Sequence, residues 1–196
     1  LHSTSRRQRQ MCIRDRSSTT MMCDKEGIVW VALKNGKIYA YNKLTDSFQL
    51  RVDLVDYLPS PVLYNMLFDD ENRLWLCMSK GLYSWEESAG LSFAGLKGQS
   101  VRCMVQMEDE VFFAGTDKGV FRLKKAGAAG SSSFETRPVD LHTEMHVESL
   151  YVFGAKLFIG TFSNGVFVLD GPEGQIHSLN DRIPHCLLYT SDAADD

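Results

Sequence analysis

Two histidines, His142 and His146, stand four residues apart, which is the spacing of zinc ligands on one face of a helix. A zinc-protease helix also needs glutamate directly after the first histidine, whereas here Glu144 is in the third position. The segment leads into strand-forming residues, and in a strand two residues four apart lie about 13 Å from each other. We therefore expect a loop between sheets here, with no metal and no cofactor.

Two glycine-rich segments, GTDKG at 115–119 and GTFSNG at 160–165, resemble loops that cradle phosphate groups. A phosphate-binding loop ends in lysine and serine or threonine, and a helix follows it. Both segments here lack that ending and run into strand-forming residues. We expect tight turns that bind no nucleotide.

Neighbouring carboxylates at 69–71 and 86–87 are the remaining candidates for acid–base chemistry. Paired acids in tight turns are typical of solvated hairpin residues, and no Ser/His/Asp order accompanies them. Cys77 and Cys103 fall inside predicted strands, where a buried thiol behaves as a small hydrophobic group. The sequence therefore predicts no catalytic residue, leaves the ligand-binding residues unknown, and indicates a protein that is not an enzyme.

Composition excludes several classes of function. The chain of 196 residues is 44% hydrophobic and carries a net charge of −4, so we expect no nucleic-acid contact, which usually requires a basic domain. No stretch approaches the roughly 18–20 apolar residues of a membrane helix. The five cysteines (Cys12, Cys23, Cys77, Cys103 and Cys186) show neither CxxC pairs nor regular spacing, so their redox state stays open.

The two ends differ from the rest. Residues 1–18 contain five arginines in RRQRQMCIRDR and show no strand or helix period, which is typical of a disordered basic arm or a targeting patch. The letters also resemble translated sequencing-adapter sequence, as does CLLYTSDAADD at 186–196. We expect 1–18 and 186–196 to be non-native or disordered tails. The small-residue stretch 126–133 reads as a flexible surface loop.

Between these ends a short hairpin pattern recurs four times. Each unit has a polar turn, a run of aromatic and branched residues, a glycine turn and a second apolar strand. The strand aromatics are Trp30, Trp75, Phe113 and Phe158, and the turn glycines are Gly36, Gly81, Gly119 and Gly165. Weaker strands before and after each hairpin make four strands per unit. The units lie around 19–52, 58–94, 99–139 and 145–179.

The fold follows from this repeat. A spacing of about 40–50 residues between four-stranded units is typical of β-propeller blades, which bury their aromatic faces only against neighbouring blades. The sequence predicts an all-β domain over 19–185, a partial β-propeller of about four four-stranded antiparallel blades. Since propellers of this repeat length usually have wider rings, we expect a fragment of a larger ring, whose remaining blades lie elsewhere in the parent chain.

The units resemble the two-component regulator propeller repeat. The resemblance is carried by Leu74-Trp75-Leu76 with Gly81-Leu82-Tyr83, and by Phe158-Ile159-Gly160-Thr161 with Gly165-Val166-Phe167. The lead-in LPSPVLYNMLFDDENRLW at 58–75 also matches the family pattern. Two units depart from it, with Ala32-Leu33 or Cys77-Met78 in place of Gly-Thr.

The resemblance implies a function. In that family the propeller is the periplasmic sensor region of membrane-bound hybrid histidine kinases, many of which respond to oligosaccharides. It implies a sensory domain in a parent that forms homodimers, with an oligosaccharide or a protein as ligand at the blade-end loops and a phosphorelay downstream. The alternative is a secreted or surface propeller that acts as a scaffold or adhesion module without a kinase.

Overall fold

A computed structural model describes residues 19–126, 134–141 and 143–183. Its sixteen strands form four four-stranded antiparallel sheets. Sheet 1 contains β1 (Thr19–Cys23), β2 (Val29–Leu33), β3 (Lys37–Asn42) and β4 (Ser47–Asp53), and sheet 2 contains β5 (Leu63–Phe68), β6 (Leu74–Met78), β7 (Gly81–Glu86) and β8 (Gly90–Gly95). Sheet 3 contains β9 (Val101–Glu108), β10 (Val111–Thr116), β11 (Gly119–Lys125) and β12 (Phe134–Pro138), and sheet 4 contains β13 (Val147–Phe153), β14 (Lys156–Thr161), β15 (Val166–Asp170) and β16 (Ile176–Ser178).

Helical structure is limited, among the described residues, to two 3-10 turns at Leu54–Asp56 and Asn180–Arg182. The four-sheet prediction is therefore confirmed. The tails at 1–18 and 186–196, and all but Ala126 of the predicted loop at 126–133, lie outside the described residues.

Each sheet is a simple up-and-down meander in which strands pair in chain order. The first strands of successive sheets, β1, β5, β9 and β13, contact one another in sequence. The sheets therefore stand side by side around a shared inner edge, with the fourth strand of each sheet outermost. This arrangement is a partial β-propeller, and the four sheets do not close a ring.

Glycine permits the tight turn between the second and third strands. Gly81 and Gly119 have φ angles of +140° and +136°, which side chains with a Cβ rarely adopt. Each pairs across a two-residue turn with the last residue of the preceding strand, Met78 in sheet 2 and Thr116 in sheet 3. Two of the four turn glycines predicted from the repeat thus set the register of their hairpins.

Three hydrophobic clusters fill the three spaces between neighbouring sheets. Trp75 of sheet 2 and Phe112 of sheet 3 are both fully buried, with ring centroids 6.2 Å apart. Leu157 and Ile159 of sheet 4 are fully buried against Phe113 of sheet 3. Since an aromatic side chain buries roughly 150–250 Å², these contacts provide much of the driving force for stacking one sheet on the next.

The cross-strand register gives every sheet the same two faces. The second strand places an aromatic ring on the face that meets the following sheet in sheets 1 to 3. The third strand places one on the face that meets the preceding sheet in sheets 2 to 4. The first set is Trp30, Trp75, Phe113 and Phe158, and the second set is Tyr39, Tyr83, Phe121 and Phe167. We call these the following face and the preceding face of a sheet.

Candidate functional site

The described residues that the sequence marks as candidates for chemistry are spread over sheets 2 to 4, and among them Glu71 and Glu86 are joined by Arg73. His142 lies outside the described residues, so the prediction of no metal site at this pair stays a prediction. His146 lies 3.1 Å from the Glu148 carboxylate, and its ring centroid is 5.8 Å from that of Phe162. No group of three His, Cys, Asp or Glu side chains in the described part of the chain is arranged to hold a metal ion.

The two glycine-rich segments are closed turns, in line with the prediction. Thr116 donates its hydroxyl hydrogen to the Gly119 carbonyl at 3.0 Å and accepts from the Lys118 backbone N–H at 3.1 Å. Thr161 makes the corresponding bond to the Gly165 carbonyl at 2.7 Å and accepts from the Asn164 N–H at 2.9 Å. Each threonine hydroxyl donates one hydrogen bond and accepts another within its own turn, so it stabilises the hairpin.

Aspartate organises the turn that precedes the tryptophan strand in sheets 1 and 2. In sheet 2, Asp69 accepts from the backbone N–H groups of Glu71 at 3.0 Å and Arg73 at 2.8 Å, and from the Trp75 indole N–H at 2.9 Å. Asp69 is 1% exposed. The expectation that the acids at 69–71 are solvated is therefore wrong for Asp69, because three donors replace its water.

Sheet 1 contains the same arrangement. Asp24 accepts from the N–H groups of Glu26 and Ile28, at 3.0 and 2.8 Å, and from the Trp30 indole at 2.8 Å. Unlike Asp69, Asp24 is partly exposed. The recurring spacing, aspartate six residues before tryptophan, is a sequence signal that could have identified this turn.

A lysine of the neighbouring sheet lies beside the buried Asp69. Lys125 of sheet 3 places its Nζ 3.4 Å from the Asp69 carboxylate and 3.1 Å from that of Glu71. Burial acts to raise the pKa of Asp69, but the hydrogen bonds from Arg73 and Trp75 and the charge of Lys125 together lower it below its ordinary value. The carboxylate is therefore ionised at neutral pH and links sheet 2 to sheet 3.

Beside these turns, a groove of about 350 Å³ opens between sheets 1 and 2. Its walls combine indole and phenyl rings with carboxylates and guanidinium groups. We call it the tryptophan groove, and it is lined by Asp24, Glu26, Ile28, Trp30, Arg51, Phe68, Asn72, Arg73, Leu74, Trp85, Glu86 and Glu87.

The groove walls are held by contacts between the two sheets. The Lys25 backbone N–H donates to the Asn72 side-chain oxygen at 3.1 Å, which ties the two aspartate turns together. The Trp30 ring meets Phe68 edge-on, with centroids 5.3 Å apart. Groups fixed in this way form an ordered surface, and an ordered surface loses less entropy than a mobile one when a ligand binds.

Two polar features of the groove are relevant to recognition. Arg73 Nε lies 2.9 Å from the Glu86 carboxylate, and the Arg73 side chain is only 10% exposed, so this ion pair is a fixed part of the wall. The Trp85 indole nitrogen is buried and finds no hydrogen-bond acceptor among the described residues. A buried donor without an acceptor carries a desolvation cost that an acceptor on a ligand could relieve.

Another cavity, of about 450 Å³, lies beside the β10–β11 turn of sheet 3. Phe121 is the one aromatic residue among the described residues that line it. Aromatic faces flanked by charged hydrogen-bonding groups are suited to sugar rings and to planar or cationic groups. The tryptophan groove, with two indoles, is therefore the better candidate for ligand binding.

Sequence reasoning could not have found the groove. Arg51 comes from the outermost strand of sheet 1, whereas Trp85 and Glu86 come from the third strand of sheet 2. They share a surface only because the two sheets stack. No helix among the described residues is long and apolar enough to span a membrane.

No protein-family model matches the chain, and no curated protein matches it by sequence. Solved structures do match. One is the extracellular domain of a protein assigned to the hybrid two-component systems, BT3049 of B. thetaiotaomicron, with a TM-score of 0.61 and 20% identity over 77% of this chain and 20% of that chain. These structures share the propeller fold.

Two further matches have different roles. PorZ, a surface component of the type-IX secretion system of Porphyromonas gingivalis, has a TM-score of 0.64 and 14% identity over 81% of this chain and 26% of that one. Virginiamycin B lyase of Staphylococcus aureus has a TM-score of 0.61 and 12% identity over 80% of this chain and 53% of that one. The chain thus spans about a fifth to a half of these proteins, and identities this low establish the fold alone.

Proposed function

We propose that this chain is a ligand-binding part of the sensory propeller of a membrane-bound hybrid two-component histidine kinase, and that it lies in the periplasm. Three observations support the proposal. The hairpin units resemble the regulator propeller repeat, the fold matches an extracellular domain assigned to such a system, and the tryptophan groove offers an ordered surface for a ligand. The groove is the observation on which the binding role depends.

Oligosaccharides are the ligand class that we propose for the groove. Trp30 and Trp85 present ring surfaces on which a pyranose can stack, and Arg51, Glu86 and Glu87 supply charged partners for its hydroxyl groups. A ligand held there contacts sheets 1 and 2 at once, so its binding energy favours one relative placement of the two sheets. In a dimeric parent protein, that preference would bias the geometry passed through the membrane to the kinase and its phosphorelay.

Binding by the full chain tests the proposal. Isothermal titration against a panel of defined neutral and uronate-containing oligosaccharides is expected to identify at least one ligand. Trp85→Phe, which keeps the ring but removes the indole N–H, and Arg51→Ala, which removes an exposed charge, should each weaken that ligand about tenfold. The matched control is Leu44→Ala, a 97% exposed residue of the β3–β4 turn. Binding that is unchanged in the groove variants, or absent for the whole panel, would contradict the assignment.

A secreted or surface scaffold without a kinase is the second candidate, and the match to PorZ, a secretion-system surface component, favours it. The two candidates make different predictions for the parent gene. The sensor requires a membrane helix and histidine-kinase motifs after the propeller, whereas the scaffold requires neither. Reading the complete gene distinguishes them, and a stop codon soon after the last blade would exclude the sensor.

A further inference from the structure

The second residue of the first strand forms a β-bulge in sheets 2, 3 and 4. In each case the residues on either side of it pair with two consecutive residues of the second strand, so the residue between them is extra. The extra residues are Tyr64, Arg102 and Glu148. Bulges are frequent beside functional sites, where they redirect a side chain. Three bulges at equivalent places therefore put a phenol ring, a guanidinium group and a carboxylate in series along the shared inner edge.

Two of the bulge residues contact each other across neighbouring sheets. The guanidinium carbon of Arg102 lies over the Tyr64 ring, 4.3 Å from the ring centroid. A cation at this distance from an aromatic face is attracted by the ring, and the planar guanidinium group also stacks on it. Sheets 2 and 3, which contribute the two residues, each have a neighbouring sheet on both sides. The stack therefore belongs to the inner edge and lies on neither of the two outer sheets.

The charge of Arg102 has no partner among the described residues. Its Nε atom is buried and finds no hydrogen-bond acceptor there. The acid at the next bulge, Glu148, lies 3.1 Å from His146 Nε2 and forms no ion pair with Arg102. A guanidinium group has five N–H donors in one plane, and stacking on a ring leaves those donors free. An acceptor on a ligand would therefore relieve the cost of the buried, unsatisfied Nε–H group.

We propose that Arg102, stacked on Tyr64, binds the carboxylate group of a small-molecule ligand at the inner edge. Two parallel N–H groups of a guanidinium fork match the two oxygens of a carboxylate, and the ring beneath holds the fork in place. Glu148 is exposed one sheet further along and is suited to accept hydrogen bonds from hydroxyl groups, so hydroxylated acids such as sugar acids are the class that fits. None of these three residues lines the tryptophan groove, so the inference does not depend on the function proposed above.

Titration of the full chain with three probes tests the chemistry of the site. Isothermal titration is expected to show that D-glucuronate binds with a dissociation constant of about 1 mM or tighter. D-Glucose, which has the same ring without the carboxylate, should bind at least about tenfold more weakly, and so should inorganic sulfate, whose tetrahedral oxygens lack the planar match. Sulfate that binds as tightly as glucuronate would overturn the assignment to a carboxylate.

Substitutions locate the probe. Arg102→Gln should abolish glucuronate binding, and Arg102→Lys, which keeps the charge but loses the fork, should weaken it about tenfold. Tyr64→Leu, which removes the ring beneath the fork, should weaken it about three- to tenfold. The matched control is Arg137→Gln, because the Arg137 side chain is 71% exposed on the outermost strand of sheet 3.

Circular dichroism of each variant verifies that the sheets are retained, and Arg102→Lys keeps the test valid if Arg102→Gln does not fold. Three results would overturn the proposal. They are no binding of glucuronate at about 50 mM, unchanged binding in the folded Arg102 variants, and loss of binding in Arg51→Ala, which would place the carboxylate in the tryptophan groove.

Discussion

Replacing Asp69 by alanine removes the acceptor at the centre of the sheet 2 turn. The change leaves the N–H groups of Glu71 and Arg73 and the indole N–H of Trp75 without their shared partner. It also leaves the Lys125 ammonium group, 13% exposed, without its buried counter-charge. The turn that starts β6 would then have to recruit water into a packed site.

The magnitude follows from these contacts. A hydrogen bond to a charged group contributes about 1.5–3 kcal/mol, and water recovers part of each lost bond. With three such bonds and an ion pair at a residue that is 1% exposed, we expect a loss of about 3–5 kcal/mol in the free energy of unfolding. This is a large fraction of the roughly 5–15 kcal/mol of a typical domain.

The matched control is Asp24→Ala, because Asp24 makes the same three bonds in sheet 1 but is partly exposed. Water can reach Asp24, so we expect a loss of only about 1–2 kcal/mol. Urea unfolding of the full chain, followed by circular dichroism at one fixed protein concentration, measures both changes. If Asp69→Ala costs no more than Asp24→Ala, burial does not set the strength of this turn and the reasoning is refuted.

The ionisation of Asp69 also predicts a dependence on pH. Burial alone would raise its pKa, but the hydrogen bonds and Lys125 lower the pKa in the folded protein below the usual value near 3.9. Such a group contributes stability that is present above the unfolded-state pKa and is lost as the pH falls through the folded-state pKa. Asp69→Asn should therefore lose less stability than the wild type between about pH 4 and pH 2. An equal loss in both proteins would contradict the assignment.

Two further predictions concern the interior of sheets 2 to 4. Gly115→Ala should destabilise the protein by about 1–3 kcal/mol in the same unfolding assay. The reason is that a Cβ at this position would lie 2.5 Å from Val147 and 2.7 Å from the Cys103 sulfur. A change below about 0.5 kcal/mol would show that the sheets can separate at no cost. Burial raises the pKa of the Cys103 thiol to about 12 and that of Cys77 well above its ordinary value, so both should resist iodoacetamide at neutral pH while exposed Cys23 reacts. Peptide mapping by mass spectrometry checks this order, and labelling of Cys77 in the folded protein would contradict it.

Much of the fold could be predicted because its signals are local. The glycines at Gly81 and Gly119 mark turns that demand positive φ, and the aromatic run before each one marks a strand. The prediction of four four-stranded sheets follows from those signals, and the structure confirms it. The expectation of solvated acids was wrong at Asp69. Its three donors lie two, four and six residues further along the chain, and the repeated spacing from aspartate to tryptophan is the local signal for them.

The sequence by itself determined the strands, their hairpin turns and the number of sheets, since alternation and turn chemistry act between residues close in the chain. Tertiary structure alone decided which side chains meet across sheets. Arg51 and Trp85 line one groove, Lys125 neutralises Asp69, and Phe158 is left facing outward. The physical reason is that contacts between sheets depend on how whole faces stack, and that stacking is set by the combined packing of many side chains distant in sequence.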